Sequence, residues 1–165
     1  MPEKETVERA REDAREGKSP STQAGEFVRE EMHHVREGKH GARSTRQVIA
    51  IGLSKARRAG VKLQPPRKGS TSARTRSQAG RDDSKGQNRF RPKTSATCSL
   101  AVSGALKREG RSAASRRSLS RQARAVARER GAAARRRSAL KRVRTKGQKS
   151  RTQPVRKATC KLGPT

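Results

Sequence analysis

Between residues 21 and 63 the apolar positions of this chain recur at helical spacing. Ala24, Phe27, Val28, Met32 and Val35 fall three and four apart, with Met32 one step past the ideal register. Ser21 or Thr22 is placed to cap a helix over about 22–36. The stretch Glu37-Gly38-Lys39-His40-Gly41 then interrupts the pattern with two glycines. Beyond it, the Ser44 hydroxyl and Gln47, three residues on, have the spacing of a capping box. Val48, Ile49, Ile51, Leu53, Ala56 and Ala59 give a second helix, over about 45–59, a wide apolar stripe. Gly60 is suited to the left-handed residue that ends it. The pattern predicts a helical hairpin within residues 18–63.

The rest of the chain is more polar and less periodic. Residues 1–17 are rich in Glu and Arg, good helix formers, but from Glu3 to Glu16 Val7 is the one large apolar side chain. A charged, fraying helix with nothing to pack against is expected there. Pro65-Pro66 ends the hairpin region, and Ser, Thr, Gly, Gln and Arg follow with little period, so 64–99 reads as a disordered linker. From 100 to 146 the composition shifts to Ala, Arg, Ser and Leu. Short helices are expected near Leu100–Glu109, Ser118–Arg130 and Ala132–Arg144, separated by Gly110 and Gly131. Residues 147–165 read as a disordered basic tail. The fold class is mainly α, a short helical hairpin with a largely disordered basic tail and no strands. The hairpin carries too few large apolar side chains to offset the entropy of ordering its backbone alone. It is expected to lean on a second copy, another protein or nucleic acid through residues 23–63.

Composition sharpens this picture. Only 28% of the 165 residues are hydrophobic, and Phe27 and Phe90 are the only aromatics. Against 44 Lys and Arg stand 14 Asp and Glu, a formal net charge of +30. The imbalance is uneven: residues 1–17 carry −2, 18–63 carry +6, and 64–165 carry +26. A polycation displaces the counterions condensed on DNA or RNA and so binds either without reading bases. No apolar run approaches the length of a membrane span, and the start Met1-Pro2-Glu3-Lys4-Glu5 lacks the apolar core of a secretory signal. A cytoplasmic protein without membrane attachment is expected. Cys98 and Cys160, 62 positions apart, fit neither a disulfide framework nor a zinc spacing and read as incidental thiols.

The candidate phosphate-binding residues are Arg116, Arg117, Arg121, Arg124, Arg128, Arg135, Arg136, Arg137, Lys141, Arg142 and Arg144. Several stand three or four apart, so a helix would gather guanidiniums on one face, each able to grip phosphate oxygens in a bidentate way. Nothing favours base-specific readout: zinc-finger spacings and aromatic stacking motifs are missing, and the glycine-rich connection is long for a helix-turn-helix. No phosphate-cradling glycine loop, nucleophile elbow or catalytic triad points to an enzyme. His33 with Glu30 or Glu37 could share a helical face, as a metal site would require. Adjacent histidines point in different directions, however, and no further ligand is fixed nearby, so ion pairing is the expected role and no metal or cofactor is expected.

The segments Met32-His33, Glu37-Gly38-Lys39-His40-Gly41 and Arg46-Gln47-Val48-Ile49-Ala50-Ile51-Gly52-Leu53-Ser54-Lys55-Ala56-Arg57-Arg58-Ala59-Gly60 carry a resemblance. Over about residues 23–63 the chain resembles a small bacterial family of uncharacterised basic proteins, labelled as a domain of unknown function or loosely as plasmid-stabilisation proteins. It departs from that pattern with Val48 for the usual Ala and Lys55 for the frequent Glu. The resemblance implies a bacterial, cytoplasmic setting and brings no functional residue with it. Together the readings point to a non-enzymatic, largely sequence-independent DNA-binding protein, associated with the nucleoid or a plasmid. The alternatives are an RNA- or ribosome-associated basic protein and a plasmid-maintenance module that binds a protein partner.

Overall fold

A computed structural model describes residues 2–87 and 95–143. It is predominantly helical, as the sequence predicts, and no strand forms among the described residues. The chain divides into two compact units, Met1–Ser120 and Arg121–Thr165. Phe90, Arg144, Cys160 and the tail 147–165 lie outside the described residues.

The expected hairpin is the centre of the first unit. Its first helix, α2 (Pro20–Glu37), follows α1 (Lys4–Arg15), and its second is α3 (Thr45–Arg58). α2 starts two residues earlier than its apolar pattern indicates. Pro20 takes the first helical position, where a missing N–H costs nothing, and Ser19 is the cap residue. Gly38, at φ 79°, turns the chain out of α2, and the Lys39 N–H reaches back to the His34 carbonyl at 3.0 Å. At the start of α3 the Ser44 hydroxyl accepts from the Gln47 N–H at 3.2 Å, while the Gln47 side chain accepts from the Arg43 N–H at 3.0 Å. Gly60, at φ 95°, ends the second arm.

Two apolar clusters flank the hairpin. Ala24, Phe27, Ala56 and Val61 close over Ala10 of α1, with Val7, Leu53 and Leu63 at the margin. On the other side Met32, Val35 and Val48 enclose Ala113 and Ala114 of a single 3-10 turn, Ser112–Ala114. That turn is held by polar bonds as well: the buried Thr45 hydroxyl donates to the Ala113 carbonyl at 2.6 Å, and Arg36 Nε donates to the Ala114 carbonyl at 3.1 Å.

Three expectations change here. Segment 1–17 is packed, because its small residues do what large ones would not: Thr6 and Ala10 are buried against α2, and Arg9 pairs with Glu26 at 3.0 Å. The stretch 64–99 is not a linker throughout, since α4 (Ala73–Gln87) lies against α3. Its contact is polar: the Asp82 carboxylate, 1% exposed, accepts from Ser54 Oγ and Arg58 Nε, each at 2.7 Å. The hairpin also has cover from within the first unit, from α1, α4 and the 3-10 turn.

The helix expected over Leu100–Glu109 is α5 (Ala96–Arg108), none of whose residues is buried. The next, α6 (Arg116–Glu129), starts in the first unit and continues into the second. Residues 131–143 are helical beyond Gly131, which has φ 69°. Among the described residues no helix is long and apolar enough to cross a membrane.

Candidate functional site

The basic surface comes from α6 and from residues 131–143. Arg116 and Arg117 occupy the first turn of α6, and both are exposed. Within the second unit Arg121, Arg124 and Arg128 follow at three- and four-residue steps, so they project from one helical face, and all three are exposed. Arg135, Arg136, Arg137, Lys141 and Arg142 stand exposed on residues 131–143, spread around the helix. Arg144 lies outside the described residues. From Gly110 to Val143 there is a single acidic side chain, Glu129. The structure gathers part of the expected set on one face and distributes the rest.

A second cluster lies in the first unit and is buried. α2 faces inward through Glu30 and Glu31, 5% and 0% exposed, in a position where two carboxylates carry a large desolvation penalty unless cations answer them. One turn on, His34 is also buried, whereas His33 points to solvent. Because Gly38 reverses the chain, His40 folds back over the same face, and the two imidazole rings meet edge to face at 6.1 Å. Three elements thus converge: Glu3 at the head of α1, the buried residues of α2, and the connection to α3.

The hydrogen bonds of this cluster are specific. His34 Nε2 meets Glu3 Oε1 at 2.9 Å, and the Glu3 backbone N–H donates to Glu30 Oε1 at 3.1 Å. His34 Nδ1 lies 3.5 Å from Glu31 Oε1, and His40 Nε2 lies 3.3 Å from Glu31 Oε2. The other nitrogen of His40, Nδ1, meets the Gly41 carbonyl at 3.0 Å. The Lys55 ammonium bonds Glu31 Oε1 and stands 3.7 Å from Glu30 Oε1. Even so, the Oε2 atoms of Glu30 and Glu31 are buried without a hydrogen bond among the described residues. At the rim, hydrogen bonds from His34 and then Lys39 hold the Glu3 carboxyl below its ordinary value. Lys39 is raised in turn by bonds to Glu37 and Glu3.

The sequence reading paired His33 with Glu30 or Glu37, and the structure instead unites His34, His40 and Glu31. Glu31 and His34 are three apart, a spacing visible in the sequence. The contribution of His40 depends on the left-handed turn at Gly38. Compared with protein-family models, with curated proteins and with solved structures, the chain matches none of them.

Proposed function

We propose that this chain is a non-enzymatic nucleic-acid-binding protein that grips the phosphate backbone, of DNA in preference to RNA, without reading bases. One observation carries the reading: the ten described residues of the candidate set, from Arg116 to Arg142, are all exposed in a stretch with a single acidic side chain. Arg121 to Arg128 spans about 10 Å of helix, while a duplex presents a phosphate about every 1.7 Å of axis, so each guanidinium has a phosphate within reach. The gain is the release of condensed counterions, which depends on charge and not on base identity. The resemblance over residues 23–63 fits a setting on the nucleoid or plasmid DNA of a bacterium.

The test is a filter-binding titration of full-length protein stripped of nucleic acid. Ten phosphate contacts give a log–log salt slope near −9 on duplex DNA between about 50 and about 300 mM salt. A flat response overturns the proposal. Competition between DNA and RNA duplexes of matched length tests the preference, and stronger retention by RNA replaces the DNA reading with the RNA one.

A further inference from the structure

We propose that Glu31, His34 and His40 form a binding site for a divalent transition-metal cation of the zinc class. The argument starts from His40. A carbonyl oxygen only accepts, so the contact of Nδ1 with the Gly41 carbonyl at 3.0 Å puts a proton on Nδ1, and in the neutral ring Nε2 then keeps its lone pair. That lone pair faces Glu31 Oε2 at 3.3 Å, an oxygen that is wholly buried and receives no hydrogen bond among the described residues. Two acceptors held this close repel unless a positive charge stands between them.

His34 repeats the arrangement from the other side. Its Nε2 donates to Glu3 Oε1 at 2.9 Å, leaving Nδ1 free toward Glu31 Oε1 at 3.5 Å. Each imidazole is thus fixed from behind by an oxygen acceptor, carboxylate in one case and carbonyl in the other, and turns its free nitrogen inward. Outer partners of this kind set the tautomer and basicity of metal-binding histidines. The charges agree. Glu30 and Glu31 are both buried, one ammonium, Lys55, reaches both, and it sits on their Oε1 atoms while each Oε2 stays unanswered.

One ligand atom from each of Glu31, His34 and His40 lies within 4.8 Å of the others, so a small inward shift would bring all three to a single ion at about 2.0–2.2 Å. Two imidazole nitrogens with one carboxylate suit zinc and its neighbours, whereas magnesium and calcium take oxygen ligands. A second grouping, Glu3, Glu30 and His34, is the weaker set, because the His34 nitrogen facing it already donates to Glu3. A bound ion would clasp the connection before α3 to α2, and α1 to both through Glu3. Binding is therefore expected to stabilise the first unit.

The experiment is a calorimetric titration of chelator-treated full-length protein with Zn²⁺, with Mg²⁺ as comparison. One equivalent of Zn²⁺ is expected to bind and to raise the thermal midpoint, and Mg²⁺ to do neither. His40→Gln is expected to weaken Zn²⁺ binding by about 100-fold and Glu3→Gln by about 10-fold, while His33→Ala leaves it unchanged. Circular dichroism checks that each variant is folded. Co²⁺ loaded into the unaltered protein gives a second readout, an absorption spectrum characteristic of mixed nitrogen and oxygen ligands. Absence of Zn²⁺ binding overturns the proposal and leaves a protonated imidazole as the charge between His40 and Glu31. Binding equally weakened by His33→Ala, or untouched by His40→Gln, overturns it as surface association.

Discussion

The α carbon of Val28 lies where a side chain on Gly52 would have to go: a methyl added to Gly52 would come within 2.7 Å of it, and within 3.0 Å of the Val28 nitrogen. The obstacle is largely backbone, so α2 and α3 approach each other as closely as they do because position 52 is empty. Gly52→Ala is expected to lower stability by about 1–3 kcal/mol, since prising two helices apart outweighs the better helix propensity of alanine. Gly25→Ala, on the exposed side of α2 with nothing within 4 Å, should raise it by up to about 1 kcal/mol. Denaturant midpoints for the two variants check the opposite signs. Equal shifts would mean that the close approach does not hold in solution.

Asp82 anchors α4. Its buried carboxylate accepts from Ser54, Arg58 and Gln78, and little apolar surface besides Ala79 joins that helix to α3. Asp82→Ala strands these donors, though half-exposed Arg58 can turn to water, so a loss of about 2 kcal/mol is expected. Amide hydrogen exchange locates it: residues 73–87 should lose protection while α2 and α3 keep theirs. Retained protection over 73–87 would show that other contacts hold the helix.

These residues also mark what the sequence discloses. The hairpin is legible because apolar burial imposes a period, and Phe27, Val35, Val48 and Ala56 declare it. The α1 helix is legible from its Glu and Arg, but its packing is not, and neither is α4, because these contacts rest on Thr6, Ala10, Ala79 and Asp82, residues too small or too polar to stand out from a charged background. The net charge of the basic region is legible without any fold, since charge simply adds. The His–Glu cluster is half legible: Glu31 and His34 have helical spacing, but His40 joins them only through a reversal at Gly38 whose direction no periodicity specifies.

Lys18 gives a pH signature at the end of α1. Its ammonium meets Asp13 at 2.5 Å and Glu16 at 2.8 Å, just past the left-handed Gly17. Hydrogen bonds to Asp13, and then to Glu16, raise its pKa above the ordinary 10.5. A group raised by folding contributes its full stability below its unfolded value and loses it as pH climbs through the folded one. Lys18→Gln should therefore lie below the unaltered protein in thermal midpoint by a constant margin up to about pH 10, with the margin closing at higher pH. A margin that stays constant in strong alkali would assign the loss to packing and not to the ion pair.

The basic face of the second unit yields the prediction closest to function. Replacing Arg121, Arg124 and Arg128 together by Gln removes three charges from one exposed face without touching a buried residue. If each meets a phosphate, the log–log salt slope on duplex DNA becomes shallower by about 2.7, roughly 0.9 for each lost contact. Replacing the same three by Lys keeps the charges and therefore the slope. What it forfeits is the two-pronged guanidinium grip, so affinity at fixed salt should fall modestly while the salt response stays parallel to that of the unaltered protein. Filter binding of both triple variants over one salt range separates the two effects. An unchanged slope in the Gln variant would take these three arginines out of the interface, and the phosphate contacts would then have to come from other basic residues.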